Sequence, residues 1–505
     1  MTDTDQMIDT AAGDAALGAT AAGRVRGSVT NGTRTFLGVP YAAPPVGDNR
    51  FAPPRPVAAW EGERDATTPG PCAPQRLKPF PQLDAAPLIG DGGTRGDDYL
   101  TLNIWAPVAV SGAPVMVFIH GGGFIVGSKD ASVSDGSGFA RSGVVCVAIN
   151  YRMGVDGFLP IPGVPTNLGL RDMLAALAWV KANIANFGGN PGNITVFGES
   201  AGAMAVADLV ASPLASGLFQ RAIIESGHGA MVRDIGIAQR LVNKLAKVLK
   251  VTPDAAGFAT PDTDTLFDAI EKVASPFARL DLRDAGGHEP VFGISRFIPV
   301  FGDDVLPEPP IVALGKGAGA AIDVLIGTNA EEMRLYFVPT GVKRKMFGWL
   351  ARWVIGKSNP HARAALKAYG LGTKGVTAGD AFIAALTDMV FRWPARQYAA
   401  AHQGRTHMYE FDWRSPACDG ELGACHGIEL PFVFDTLATA TGPRGLAGEA
   451  PPQELAMRVH KLWVDFATDG RLPWDEFNEE TRQVYSLEKG AASSEPVMPA
   501  AAFLP

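Results

Sequence analysis

Residues 194–210 read ITVFGESAGAMAVADLV. Ile194, Val196 and Phe197 form an apolar, β-branched and aromatic run that predicts a buried strand, and 201–210 is small, apolar and helical. Only Gly198-Glu199-Ser200-Ala201-Gly202 joins the two. A bend that tight forces its middle residue into a strained backbone conformation and leaves no space for side chains beside it. The strand therefore feeds directly into a helix, the repeating step of an α/β chain. The same bend would stand the Ser200 hydroxyl clear of the sheet's carboxyl end, above a helix amino terminus.

The first half of the chain repeats this alternation. NIWAP (103–107), APVMVFIH (113–120) and VVCVAINY (144–151) read as strands, the last apolar enough to be buried on both faces. In 167–189, Leu170, Leu174, Leu177 and Ile184 recur at helical spacing, and Gly188-Gly189 ends the pattern. RAIIES (221–226), DVLIGT (323–328) and HMYEFDW (407–413) are further strands, the last of them the final core strand expected. The pattern predicts a mostly parallel central sheet with helices on both faces. Residues 233–320 and 339–404 are helical without clear core strands and read as insertions over the sheet's carboxyl edge. Residues 1–24 are expected to be a flexible leader, and 25–505 one domain.

Bulk properties exclude several functions. A net charge of −8 and the lack of any lysine- or arginine-rich block argue against nucleic acid as a partner. No stretch of 18 apolar residues exists, so no membrane span is expected. The acidic start MTDTDQMIDT lacks the basic and apolar regions of a secretory signal, and four cysteines in 505 residues are too few for a disulfide framework. A cytoplasmic location is expected. GKGAGA (315–320) precedes a strand rather than following one, the reverse of a phosphate loop, and no His-Glu-x-x-His zinc pattern occurs. No cofactor or metal is expected. Nothing in the pattern specifies an oligomeric state.

A serine nucleophile needs a histidine base, an acid to orient that base, and donors for an oxyanion. On an elbow of this type the acid and histidine follow the serine in the chain. Glu331 and Glu332 lie just past the strand DVLIGT, and spacing alone does not separate them. Of the five later histidines, His361, His402, His407, His426 and His460, His426 occupies a loop after the 407–413 strand that leads straight into a helix. Upstream, FIHGGGF puts Gly121, Gly122 and Gly123 directly after a strand. Their backbone N–H groups, with that of Ala201, could form an oxyanion hole, each donor worth about 3 kcal/mol. His120 is expected to pin that loop.

These segments resemble the type-B carboxylesterases, the family that includes the cholinesterases. FGGNPGNITVFGESAG (187–202), DDYLTLNIWAP (97–107), FLGVPYAAPPVGDNRFAPPRPVAAW (36–60), HGGGF, GTNAEE and HGIELPFVF match its motifs in order across roughly residues 25–490. The resemblance implies an α/β-hydrolase fold and a serine esterase acting on small-molecule esters with water as co-substrate. It implies Ser200 as nucleophile, His426 as base and Glu332 as orienting acid. It further implies Gly122, Gly123 and Ala201 as oxyanion donors, and Glu199 and Ser226 as polar support around them. An amidase or carbamate hydrolase with the same triad, or a non-catalytic binding relative, are the alternatives. The chain departs from the family at Met333, where glycine is usual, and at Tyr99, where a cysteine commonly pairs with the residue at Cys72. The segment 72–99 has no tryptophan, so the resemblance implies that choline esters are not preferred.

Overall fold

The computed structural model describes residues 15–275, 277–289 and 295–504. The strands are β1 (Ala15–Thr20), β2 (Gly23–Thr30), β3 (Thr33–Pro40), β4 (Glu63–Asp65), β5 (Thr101–Pro107), β6 (Ala113–Ile119), β7 (Val145–Ile149) and β8 (Gly189–Glu199). They continue with β9 (Arg221–Glu225), β10 (Arg233–Asp234), β11 (Val300–Phe301), β12 (Asp323–Asn329), β13 (Thr406–Phe411), β14 (Gln483–Ser486) and β15 (Ala491–Ser494). One large sheet runs in the order β1-β2-β3-β5-β7-β6-β8-β9-β12-β13-β14-β15, with β4 beside β2. Pairing is parallel from β7 through β14 and antiparallel from β1 through β7 and between β14 and β15, with β4 parallel to β2.

Strand β6 shows why the parallel part reads as continuous apolar sequence. Val115, Val117 and Ile119 pack into one core with Leu170, Leu177 and Val206, while Met116 and Phe118 pack into the other with Phe434 and Trp463. Alternate residues face opposite sides, and helices cover both, so no position can be polar without cost. Helix Leu168–Asn183 ends through a single tight turn, Ile184–Phe187, that Gly188 closes at φ 91°. Helix Ala201–Ala211 is buried along its whole length.

Two expectations are corrected. Residues 15–24, assigned above to the leader, belong to the sheet: Ala15 through Thr20 pair with Ser28 through Gly23 in a hairpin whose first strand, mostly alanine and glycine, carries little periodic signal. The expectation for residues 1–14 lies outside the described residues. The 407–413 segment is not the last core strand, because β14 adds parallel to β13 and buries Val484 and Tyr485. Four residues are too few to show a period. Between 233 and 320 lie helices Ile235–Leu249, Ala255–Ala259, Thr263–Ala274 and Pro310–Gly315, with the short β10–β11 pair. Between 339 and 404 lie Gly348–Ile355, Ala362–Ala368, Ala378–Thr387 and Trp393–Ala401. Among the described residues no helix is long and apolar enough to cross a membrane.

Candidate active site

Ser200 sits between β8 and the helix Ala201–Ala211 at φ 56°, ψ −123°, a conformation that L-residues rarely hold. Its N–H donates to Glu225 O at 2.9 Å, and its carbonyl accepts from Met204 N at 2.9 Å, which fixes the strain in place. The flanking glycines are sterically required. A Cβ on Gly202 would fall 1.9 Å from Ile119 O, and one on Gly198 would fall 2.7 Å from the same oxygen. The serine makes no side-chain cap to its own helix. Ser200 instead lines the cavity that Tyr336 and His426 also border.

Geometry separates the two glutamates. Glu332 is fully buried; its Oε1 accepts Asn329 N at 2.7 Å and its Oε2 lies 2.6 Å from His426 Nδ1. His426 N donates to Glu332 O at 3.1 Å, so the loops carrying acid and imidazole are stitched together. Glu331 points elsewhere, pairing with Arg334 at 2.8 Å and with Arg414, and accepting Ala424 N at 3.0 Å. Met333, where glycine is usual, is buried, and its N–H donates to Thr387 Oγ1.

The other face of the imidazole meets a second carboxylate: His426 Nε2 lies 3.1 Å from Glu199 Oε1. Burial alone would lower the His426 pKa, but Glu199, Glu332 and Glu429 around it raise it to about 9. Desolvation raises Glu199 to about 7, against the pull of His426 and with the push of Glu332. Ser226 is buried and donates to Glu429 Oε1 at 3.3 Å. Glu429 also accepts from Asn329 Nδ2, and Glu225 accepts Trp463 Nε1 at 2.7 Å. Burial, then Glu199 and Glu332, push Glu429 up to about 8. Sequence reasoning named Glu199 and Ser226 but missed Asn329, Glu429 and Tyr336. Glu429 was legible as an acid inside the apolar run HGIELPFVF; Tyr336 left no signal.

The glycine loop shares a cavity of about 180 Å³ with Ser200, Glu199, His426, Leu335 and Tyr336. Gly122 (φ 102°) and Gly123 (φ 63°) hold backbone conformations that favour glycine. A Cβ on Gly122 would lie 2.0 Å from Val126 O, the turn being closed by Val126 N donating to Gly122 O. Ala201 opens the helix, in the turn whose N–H groups have no intrahelical acceptor. His120 stacks on Tyr151 at 4.5 Å, its Nδ1 lies 2.9 Å from Gly121 O, and burial lowers its pKa to about 4, so it is a neutral prop. Phe80, Ile89, Ile125 and Val126 also border a second cavity of about 770 Å³.

The other later histidines lie away from Ser200. His460 lies 2.9 Å from Ser142 Oγ and 2.7 Å from Val433 O, His402 bonds Thr406, and His361 precedes the helix Ala362–Ala368. His407 stacks edge-on against Trp474. Cys72 is a free thiol 3.2 Å from Ser128 Oγ. Among the described residues no three His, Cys, Asp or Glu side chains cluster in a metal-holding arrangement.

A serine on a strand-to-helix elbow, a histidine joined to a buried glutamate, and a glycine turn beside them, all at one end of a mostly parallel sheet, define the α/β-hydrolase class of serine esterases. The carboxylesterase family model matches residues 14–500, and the chain belongs to that family. It is a carboxylic-ester hydrolase. It is 34% identical to the para-nitrobenzyl esterase of Bacillus subtilis, over 92% of this chain and 93% of that one. It is also 34% identical to the liver carboxylesterase of Sus scrofa, over 91% and 87%. Among solved structures, a PNB esterase superposes with a TM-score of 0.81 at 31% identity, covering 97% of this chain and 99% of the other. A Geobacillus stearothermophilus carboxylesterase gives 0.80 at 31% identity, covering 96% and 99%.

Proposed function

We propose that Ser200, His426 and Glu332 form the catalytic triad of this esterase. The observation that carries the assignment is the buried 2.6 Å contact between Glu332 Oε2 and His426 Nδ1, at the end of the cavity that holds Ser200. Glu332 keeps the proton on Nδ1, leaving Nε2 to act as base. Nε2 turns from Glu199 to Ser200, takes the hydroxyl proton, and Oγ adds to the ester carbonyl. The N–H groups of Gly122, Gly123 and Ala201 receive the oxyanion. The imidazolium returns the proton to the departing alcohol. Water then repeats the sequence on the acyl-enzyme and releases the acid.

The two cavities support esters with one small and one large apolar part. Leu266, Phe267 and Ile270 line the larger space, where the arginines are already engaged: Arg76 by Asp268 and Arg50 by Asp156. A para-nitrobenzyl ester, named for the Bacillus relative, is of this shape. Four free cysteines support a reducing, cytoplasmic setting.

The test is hydrolysis of p-nitrophenyl acetate, butyrate and octanoate by wild type and Ser200→Ala. The variant is expected to lose at least about 10⁴-fold in kcat. A fluorophosphonate probe is expected to label wild type only. Wild-type turnover by Ser200→Ala would sink the assignment, and matched ester and anilide substrates separate esterase from amidase action.

A further inference from the structure

The insertion at 339–404 carries a charge pattern that the reaction does not use. Between residues 343 and 374 the chain has eight lysines and arginines and no aspartate or glutamate, in a protein whose net charge is −8. Apart from Lys343-Arg344-Lys345 these cations are dispersed among aromatic and aliphatic residues, so the sequence shows no basic run. Of the eight, Lys343 and Arg344 alone make ion pairs among the described residues, with Asp380, Asp419 and Glu421. Lys345, Arg352, Arg363, Lys367 and Lys374 are exposed.

The fold turns large apolar side chains outward in the same segment. Helix Gly348–Ile355 packs on Ala362–Ala368 and Ala378–Thr387 with Ala351 and Ile355 buried. Trp349 and Trp353, one turn apart, share another face, and Trp349 is 66% exposed. Phe277, from the 233–320 insertion, stacks on Trp353 with ring centroids 5.4 Å apart and is still 76% exposed. Phe347, just before the helix, is 62% exposed. The Lys357 ammonium lies 4.6 Å from the Trp353 ring centre. Arg352 precedes Trp353 and Arg279 follows Phe277 by two residues, both exposed. Single exposed apolar residues are ordinary, but a group of this size set among cations is not.

Such a surface fits a partner with a negatively charged skin over an apolar interior. An anionic lipid bilayer has that order: phosphates meet lysine and arginine, and the headgroup boundary takes indole and phenyl rings. A second copy of this chain fits less well, because a two-fold contact would press the same cations together. The patch also adjoins the larger cavity. Leu266, Phe267, Ile270 and Ala274 of helix Thr263–Ala274 line that cavity, and Phe277 follows Ala274 by three residues, a reach of at most about 11 Å.

We propose that Phe277, Phe347, Trp349 and Trp353, with the cations around them, form a peripheral docking surface for anionic phospholipid bilayers, which brings the larger cavity to esters dissolved in the lipid. The docking does not depend on the assignment of the triad.

The test is co-sedimentation of the full chain with vesicles of phosphatidylcholine alone or of phosphatidylcholine and phosphatidylglycerol in equal parts. Wild type is expected to bind the mixed vesicles at least about 10-fold more tightly, since each cation near an anionic surface contributes about fivefold. Raising the salt from about 0.05 to about 0.5 M is expected to release it. Phe347→Ser with Trp349→Ser is expected to weaken binding about 10-fold at low salt, and Lys345→Glu with Arg352→Glu to remove most of the preference for mixed vesicles. Both variants lie outside the catalytic machinery and are expected to hydrolyse p-nitrophenyl butyrate at the wild-type rate, which reports their folding. The wild-type comparison stands on its own if a variant folds poorly. Equal binding to the two vesicle types, no binding to mixed vesicles, or a preference that survives both variants overturns the proposal. A wild-type dimer in analytical ultracentrifugation that Phe347→Ser with Trp349→Ser dissolves overturns it too, because the patch would then be covered by a second copy.

Discussion

Replacing Glu199 by glutamine should move the acid side of the pH profile. In the free enzyme Glu199 Oε1 is 3.1 Å from His426 Nε2, the nitrogen that must accept the serine proton. Protonated His426 cannot act as base, so activity rises as pH climbs through the His426 pKa, which the surrounding carboxylates raise to about 9. At 3.1 Å and an effective dielectric of about 20, a full negative charge on Glu199 stabilises the imidazolium by about 5 kcal/mol. Glu199, with a pKa of about 7, is ionised where a ring near 9 gives up its proton, and the two groups titrate as a pair whose interaction is divided between both shifts and set against the desolvation that burial imposes on each. The net loss on substitution is therefore smaller, about 1–2 pKa units, each worth about 1.4 kcal/mol. Glu332 and Glu429 remain and keep part of the elevation. The assay is kcat/KM for p-nitrophenyl butyrate from pH 5.5 to 10, each curve scaled to its own plateau. Glu199→Gln should shift the acid limb down by about 1–2 units, whatever it does to the plateau. A limb that stays in place, or moves up, would refute the view that Glu199 holds a proton on His426.

Three further outcomes follow from the geometry. Glu332→Gln should cost about 10⁴-fold in kcat by loosening the imidazole's orientation, whereas Glu331→Gln, which loses only pairs to Arg334 and Arg414, should stay within about fivefold of wild type in the same assay. Gly202→Ala should destabilise the fold by about 1–3 kcal/mol in urea unfolding and cut kcat by about 100-fold, since a Cβ 1.9 Å from Ile119 O displaces the elbow. Asp172→Asn should cost about 3–5 kcal/mol of stability by denaturant midpoint, because it strands the buried Arg152 guanidinium that Asp172 contacts at 2.6 Å and 2.8 Å.

The elbow was readable because its motif is short and sits between an apolar strand pattern and a helical one, although the contacts that require glycine are partly tertiary: Gly198 lies against Gly202 within the turn, while a Cβ on Gly202 would strike Ile119 O of the adjacent strand β6. The apolar runs of β6, β7 and β8 announce a sheet buried on both faces. The sheet's margins were not readable. Strand β1 is mostly alanine and glycine, and β14 and β15 have four residues each, so pairing with neighbouring strands, not periodicity, makes them strands.

The same division runs through the site. Sequence alone determined which residue types were available: one strained serine, two adjacent acids, a histidine before an apolar run, and a glycine turn. Tertiary structure decided among them. Glu332 faces His426 and Glu331 faces arginines because a backbone bond from His426 N to Glu332 O sets which of two neighbouring side chains turns inward. It also brought Glu199, Glu429 and Tyr336 around one imidazole and one hydroxyl from segments up to 230 residues apart. Burial there changes what each group is chemically. A carboxyl that would be fully ionised at neutral pH in water is raised to about 7, and a phenol is held well above its usual range, because the folded protein removes the solvent that would have stabilised their charges.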